Sequence, residues 1–68
     1  MNNFYEFPDS AMLASCSYNE ADKELTVTFK NGRDYVYVDV DKSIYNDLIN
    51  AQSAGRYFNS IKKDLKQK

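Results

Sequence analysis

The sequence predicts an α+β domain in which a three-stranded antiparallel meander precedes two helices, in the order β-β-β-α-α. Two observations predict this fold. Apolar and polar residues alternate along three segments before residue 39, which is the period of a half-buried strand. After residue 41 the apolar spacing changes to three and four residues, which is the period of an amphipathic helix. Both helices are expected to pack on one face of the sheet.

Polar turns separate the three predicted strands. The first strand covers residues 11–18, and Leu13 is the one break in its alternation. The second and third strands cover residues 25–29 and 35–38, which are rich in β-branched and aromatic residues. Between them, Asn31-Gly32 is a strong signal for a tight hairpin.

Capping residues mark the start of each predicted helix. Asp41 is the expected N-cap of the first helix, and Val40 is expected to contact Tyr45 as a hydrophobic staple. Ser53 is the expected N-cap of the second helix, whose apolar face runs through residues 54–65. The apolar stripe of the first helix consists of Ile44, Tyr45, Leu48 and Ile49.

The chain divides into an aromatic lead-in, residues 1–10, and a single domain, residues 11–68. The lead-in places Phe4, Tyr5 and Phe7 close together before Pro8. Three aromatic side chains are costly to leave in water, so we expect the lead-in to form a flap over the domain. A disordered arm and a surface for self-association or partner docking are the alternatives.

The composition argues against an enzyme. The 68 residues include no His and one Cys, so the usual general bases, catalytic triads and metal sites have no residues to build them. We therefore expect no catalytic residues, no metal and no cofactor. Cys16 follows the apolar side of the first strand and is expected to be a small core residue. With no long apolar run and no leader-like N-terminus, the sequence predicts a cytoplasmic protein without a membrane segment.

Charge is distributed unevenly along the chain. Residues 1–55 carry a net charge of −5, whereas residues 56–68 carry +4. Such asymmetry can indicate a basic segment that contacts an acidic partner. Cations near the C-terminal end of a helix are also favoured by the helix dipole, which explains their placement without any ligand.

The Asn31-Gly32 hairpin allows two registers. A two-residue type I′ turn would pair Thr28 with Tyr35 and leave Tyr35 and Tyr37 exposed as an aromatic platform, a surface that single-stranded RNA readers use for stacking. A three-residue loop with Gly32 in the left-handed region would instead pair Val27 with Tyr35 and turn both tyrosines into the core. One residue of register separates the two structures.

The sequence resembles the KTSC domain family over nearly its whole length, from Ser10 to about Lys62. The resemblance is carried by Leu25-x-Val27-x-Phe29-x-Asn31-Gly32-x-x-Tyr35-x-Tyr37-x-x-Val40, then Ile44-Tyr45, Leu48 and Ala51, and then Ser53-x-Gly55-x-Tyr57-Phe58-Asn59-x-Ile61. The family takes its name from a module at the C-terminus of some lysyl-tRNA synthetases and also occurs as small stand-alone bacterial and phage proteins. Two departures are Asp41, where the family usually has proline, and the segment 63–66, where it often has an aromatic residue. The family pattern favours the inward orientation of Tyr35 and Tyr37.

The start of the second helix is the best candidate for a binding surface. Ser53, Gly55 and Arg56 combine a hydroxyl, free backbone N–H groups and a guanidinium at the positive end of a helix, where anions bind. Asn59 could reach a sugar or base, and further cations on the same helix could extend the contact to phosphates. Those cations are Lys62, Lys63 and Lys66. The structural alternative is that Ser53 is an ordinary N-cap and Gly55 lets the second helix approach the first.

Two functional hypotheses follow. The first is a non-enzymatic accessory module for RNA such as tRNA, which the resemblance implies and the basic helix permits. A sequence pI of about 5.2 weighs against it, because nucleic-acid-binding domains are usually strongly basic. The second is a protein-interaction module of phage or prophage origin that docks on a host protein through its acidic sheet side or aromatic N-terminal arm. The sequence leaves the oligomeric state open.

Overall fold

The computed structural model describes residues 2–68, so Met1, the first residue of the predicted lead-in, lies outside the described residues. Five strands form one antiparallel sheet in the order β1-β2-β3-β4-β5. The strands are β1 (Asn2–Glu6), β2 (Leu13–Asn19), β3 (Glu24–Phe29), β4 (Asp34–Val38) and β5 (Lys66–Gln67). The helices α1 (Lys42–Asn50) and α2 (Ala54–Ile61) and a 3-10 turn (Lys62–Asp64) lie between β4 and β5 along the chain.

The α+β class and the two C-terminal helices are confirmed, but the prediction of three strands is wrong because the sheet has five. Both additional strands lie at its edges. The lead-in supplies β1, which pairs with β2 from Asn2 opposite Asn19 to Glu6 opposite Ser15. The segment after α2 supplies β5, which pairs with Tyr37 and Val38 of β4.

The lead-in is a strand rather than a flap, and its aromatic side chains separate. Phe7 is buried in the core, whereas Phe4 is 64% exposed and Tyr5 is 41% exposed. The Tyr5 ring packs edge-on against Phe7 at a centroid distance of 5.2 Å. At the other end of β1, the Asn3 amide donates a hydrogen bond to Glu20, 3.1 Å away. This bond, together with nearby Lys42, lowers the pKa of the Glu20 carboxyl.

A β-bulge explains the irregular alternation around Leu13. Leu13 pairs with Phe29, but the next pair is Ser15 with Thr28, so Ala14 is an extra residue in β2. The bulge lets Leu13 and Cys16 face the core together although they are three residues apart, and both are buried.

The core fills the space between one face of the sheet and the two helices. Tyr45 and Leu48 of α1 and Ala54 and Phe58 of α2 are buried there. Phe58 lies against the rings of Phe29 and Tyr37 at 5.6 and 5.8 Å. The buried sheet residues are Leu13, Cys16, Tyr18, Leu25, Val27 and Tyr37.

The β3–β4 hairpin adopts the three-residue loop. Leu25 lies opposite Tyr37 and Val27 opposite Tyr35, and the Phe29 N–H donates to the Arg33 carbonyl at 2.8 Å. Gly32 has a φ of +91°, the left-handed conformation that this loop requires. The hairpin geometry therefore sets the register that turns both tyrosines inward.

Candidate nucleic-acid interface

Helix α2 begins with a side-chain cap. Ser53 has extended backbone angles, and its hydroxyl accepts a hydrogen bond from the Arg56 N–H at 3.4 Å. This is the N-cap role expected from the sequence. Because the hydroxyl already accepts a hydrogen bond from the backbone of its own helix, the charged side chain in the first turn of α2 is that of Arg56.

Gly55 faces the segment before β2 rather than α1, which corrects the expectation that it brings the two helices together. A Cβ built on Gly55 would lie 3.5 Å from the Met12 Cβ and 3.7 Å from the Ser10 hydroxyl oxygen. These are ordinary van der Waals distances. The Ser10 hydroxyl also accepts hydrogen bonds from the N–H groups of Met12 and Leu13, at 3.2 and 3.0 Å. Gly55 therefore packs the start of α2 against a loop that the Ser10 hydroxyl holds through these hydrogen bonds.

A groove of about 600 Å³ separates this loop from α2 and the α1–α2 connection. Its walls carry aromatic, apolar and polar groups together, and acids and a base both contribute. Tyr5 and Glu6 of β1 lie on one side, and Arg56 and Asn59 lie on the other. Of the predicted site residues, Ser53, Gly55, Arg56 and Asn59 all line this groove.

The predicted basic helix is shorter than the sequence suggests. Helix α2 ends at Ile61, and Lys62 and Lys63 lie in the 3-10 turn that follows. Lys66 lies in β5, where its ammonium is 3.8 Å from an Asp39 carboxylate oxygen. The apolar face expected over residues 54–65 does not continue as helix to its last residue, because the backbone of Leu65 is extended. The Leu65 side chain is half-buried. Lys66 is therefore on a different element from the other predicted cations.

Ion pairing divides the nine cations of the chain into two groups. Four form ion pairs with acids: Lys23 with Asp41, Lys42 with Glu20, Lys66 with Asp39 and Lys68 with Glu24. The other five form no ion pair within residues 2–68 and are exposed; we call them the unpaired cations, and they are Lys30, Arg33, Arg56, Lys62 and Lys63.

Lys30 and Arg33 are two members of this group that the sequence did not single out. They flank the tip of the β3–β4 hairpin, and Met12 connects that hairpin to α2. The Lys30 N–H donates to the Met12 carbonyl at 2.9 Å, and the Asn59 amide lies 3.9 Å from the Met12 sulfur. In the sequence, Lys30 and Arg33 flank Asn31-Gly32, which predicts a turn. Nothing in that pattern indicates that the hairpin lies next to α2.

Tyr35 and Tyr37 do not form the aromatic platform that one register predicts. Tyr37 is only 7% exposed, and Tyr35 packs against the core with its ring edge-on to Phe29. Burial raises the pKa of the Tyr37 hydroxyl, with a smaller contribution from Tyr35. The three-residue loop turns this pair away from solvent, so stacking on a bound base would have to use other aromatic residues.

Three further observations concern the chemistry and helices of the described residues. Cys16 is 1% exposed, and burial raises the pKa of its thiol to about 12, so it is a protonated core residue at neutral pH. Within the described residues, no three His, Cys, Asp or Glu side chains come together as a metal site. Neither helix in residues 2–68 has the length and apolar content of a membrane span.

The fold and the groove define a small α+β domain with a groove lined by aromatic, acidic and basic side chains. Comparison with known proteins identifies its family. The KTSC domain model matches residues 9–64. A protein of Tsukamurella paurometabola is 33% identical over 55 residues, which are 81% of this chain and 82% of that protein. The chain belongs to the KTSC domain family.

Two other matches place the domain in context. A lysine–tRNA ligase of Nostoc punctiforme is 36% identical over 54 residues, which are 79% of this chain but only 10% of that protein. The crystal structure of a KTSC domain protein from Yersinia pestis superimposes with a TM-score of 0.88, covering 100% of this chain and 96% of that one. Its sequence identity is 22%, so this likeness establishes the fold.

Proposed function

We propose that this KTSC domain is a non-catalytic binding module for RNA that contacts the phosphate backbone through the unpaired cations. The observation that carries the proposal is their arrangement. Arg56, Lys62 and Lys63 lie on α2 and the turn after it, and Lys30 and Arg33 lie on the hairpin that Met12 joins to α2. A cation without an acidic partner is free to exchange its counterions for phosphates.

The groove beside Arg56 supplies contacts of other kinds. Tyr5 is partly exposed and lines the groove, so its ring offers a surface on which an unpaired base can stack. Asn59 offers both an amide donor and a carbonyl acceptor to a sugar or base edge. Phosphate contacts position the RNA, whereas contacts of Tyr5 and Asn59 with the bases would determine its sequence preference.

Acidic residues limit the affinity. Asp34 and Asp64 are adjacent in sequence to Arg33 and Lys63, and the whole chain carries a net charge of −1. The module is therefore expected to bind weakly by itself and to depend steeply on salt. Weak binding suits an accessory domain, and the related segment in the Nostoc lysine–tRNA ligase supports tRNA as the first RNA to test.

The proposal is tested by fluorescence anisotropy with labelled tRNA, single-stranded RNA and duplex DNA at low and moderate salt. We expect the double variant Arg56→Ala/Lys63→Ala to weaken RNA binding about tenfold or more and to reduce the salt slope by about one to two. The matched control is Lys23→Ala/Lys42→Ala, which removes the same charge from cations engaged in ion pairs and should change binding far less. Equal losses in both variants, or no binding of any of the three probes at low salt, would contradict the proposal.

A protein partner is the second candidate, and the exposed Phe4 and Tyr5 at the edge of the sheet favour it. Affinity capture from a cell lysate with and without nuclease treatment separates the two candidates. A partner retained after nuclease treatment and lost in a Phe4→Ala variant would support protein docking. A partner that disappears with nuclease was connected through nucleic acid and supports the RNA module.

A further inference from the structure

The outer edge of β1 is an open edge of the sheet. β1 pairs with β2 on one side only, and β1 is the first strand in the sheet order. The backbone groups on its other side have no partner strand within residues 2–68. An open edge of this kind is a ready template for pairing with another strand.

The register shows which residues face this edge. The Phe7 N–H donates to the Ala14 carbonyl at 2.9 Å, which continues the pairing of Tyr5 with Cys16. In an antiparallel pair, alternate residues direct their N–H and C=O groups toward the neighbouring strand. Tyr5 and Asn3 therefore bond to β2, and the backbone groups of Asn2, Phe4 and Glu6 point outward.

The two edges of the sheet differ in how they are protected. β5 has two residues, and Lys66 and Lys68 place positive charge along it, which are both common devices against strand pairing. β1 has five residues and contains no lysine, arginine or proline. It also carries Phe4, whose ring is 64% exposed on the sheet face opposite the helices. The unprotected edge is therefore the one suited to a partner strand.

We infer that β1 is a self-association surface, in which β1 of a second copy of this chain pairs antiparallel across a twofold axis at Phe4. The backbone N–H and C=O of Phe4 in each copy would form hydrogen bonds with the C=O and N–H of Phe4 in the other. The backbone groups of Asn2 in each copy would pair with those of Glu6 in the other in the same way. The two Phe4 rings would lie directly opposite each other, and aromatic pairs of this kind stabilise antiparallel strands. The sheets of the two copies would become continuous.

Other arrangements of the same strands are less favourable. An axis at Glu6 would place two carboxylates opposite each other, and like charges in that position are destabilising. An axis at Tyr5 would pair Phe4 with Glu6 and leave Asn2 without a partner, and an axis at Asn3 would pair Asn2 with Phe4 and leave Glu6 without one. Pairing of β1 with β5 of another copy is a head-to-tail contact, which builds rings or open filaments and does not close as a dimer. Only the axis at Phe4 uses every outward group and closes as a dimer.

The test measures mass by light scattering or sedimentation over about a hundredfold range of concentration. We expect the mass to rise from monomer to dimer as the concentration increases. Phe4→Pro should weaken association about tenfold or more, because proline removes the N–H that points to the second copy and leaves the bonds to β2 intact. Circular dichroism and the melting temperature at low concentration check that this variant folds.

Cysteine cross-linking tests the register and does not depend on the proline variant. Residues opposite each other in a hydrogen-bonded pair have Cα atoms about 5.5 Å apart, within the range that a disulfide spans. Phe4→Cys should therefore give a disulfide-linked dimer under mild oxidation, and the buried Cys16 should not interfere. Glu6→Cys is the matched control, because the two introduced residues would be offset by about 13 Å along the strands and should not cross-link. A monomer at all concentrations would overturn the inference, and so would a dimer that cross-links through Glu6→Cys but not Phe4→Cys.

Discussion

The two glycines of the chain differ in what it would cost to add a side chain at each position. Gly32 has a φ of +91°, a conformation that L-residues rarely adopt, although no atom lies within 4 Å of a Cβ built there. Gly55 is in the first turn of α2, with a Cβ position in ordinary contact with Met12 and Ser10. The cost of a substitution is therefore conformational at Gly32, whereas at Gly55 the helix gains from losing the flexible glycine.

We expect Gly32→Ala and Gly55→Ala to change the free energy of unfolding in opposite directions. Gly32→Ala should lower it by about 1–2 kcal/mol, because alanine must enter the left-handed region. Gly55→Ala should raise it by up to about 1 kcal/mol, because alanine is the better helix former. Urea titration of both variants gives the two values. A loss of stability in Gly55→Ala would show that Met12 cannot accommodate the added methyl group.

The buried thiol of Cys16 makes stability depend on alkaline pH. Burial raises the thiol pKa from 9.0 to about 12, so the folded state favours the neutral form. A group with a raised pKa contributes its stability fully below its unfolded value and loses it as the pH rises through the folded value. The relevant window is therefore between about pH 9 and 12.

In this window we expect the free energy of unfolding to fall with pH by up to about 1.4 kcal/mol per pH unit from Cys16 alone. Tyr37, Tyr45 and Tyr57 also have raised pKa values and add to the slope. Denaturation curves at several pH values, with reductant present, should show a shallower slope for Cys16→Ala than for the unaltered protein. Identical slopes would mean that the thiol ionises in the folded state as readily as in the unfolded one.

At the scale of elements, Tyr18 connects the sheet to the first helix. Its hydroxyl donates a buried hydrogen bond of 2.5 Å to the carbonyl of Val40, two residues before α1 begins. Its ring stacks on Tyr45 of α1 with centroids 5.7 Å apart. Asp41 makes no side-chain capping bond. The hydrogen bond from Tyr18 of β2 therefore holds the backbone just before α1 in place of a side-chain cap.

We expect Tyr18→Phe to lower the free energy of unfolding by about 1–2 kcal/mol, because it leaves a buried carbonyl without its donor. Tyr57→Phe is the matched control. Its hydroxyl lies 3.5 Å from Asp47 in an exposed position, so its loss should cost less than about 0.5 kcal/mol. Thermal or urea denaturation of the two variants compares them directly, and equal costs would contradict the role assigned to the Tyr18 bond.

The elements that could be predicted from the sequence are those with enough residues to show a period. The three central strands and both helices alternate or repeat clearly, and Ser53 caps α2 as expected. The strand β1 is short and precedes a proline, and β5 has two residues, so neither shows a pattern. The bulge at Ala14 depends on pairing with β3, which local spacing does not encode.

At the scale of the whole molecule, β5 protects the edge of β4. The Lys68 N–H donates to the Val36 carbonyl at 2.7 Å, and the last residues pair with Tyr37 and Val38. The two ion pairs made by Lys66 and Lys68 are largely exposed and contribute little by themselves. The main effect of β5 is therefore to satisfy the backbone of β4.

We expect a chain shortened after Leu65 to aggregate more readily than the full chain, because it exposes the edge of β4. Its loss of unfolding free energy should be modest, about 1 kcal/mol. The full-length variant Lys66→Ala/Lys68→Ala keeps the backbone pairing and should remain close to the unaltered chain. Light scattering during incubation measures the difference, and equal aggregation of the two variants would assign the protection to charge instead of pairing.

The part of the candidate interface that could be predicted from the sequence is the part whose residues are close in sequence. Ser53, Gly55, Arg56 and Asn59 are close in sequence, and they line one groove. Lys30 and Arg33 join the unpaired cations only through the contact of the hairpin with Met12 and α2. Ion pairs of Lys66 and Lys68 with acids in other parts of the chain likewise depend on tertiary structure.

The order of the sheet also has a consequence for how the chain folds. From β1 to β4, each strand pairs with the next one along the chain, so these steps close only short loops and cost little entropy. β5 is the exception, because it returns to β4 across both helices. We expect the first four strands and the helices to form early and β5 to pair with β4 last, after the rest of the fold has formed.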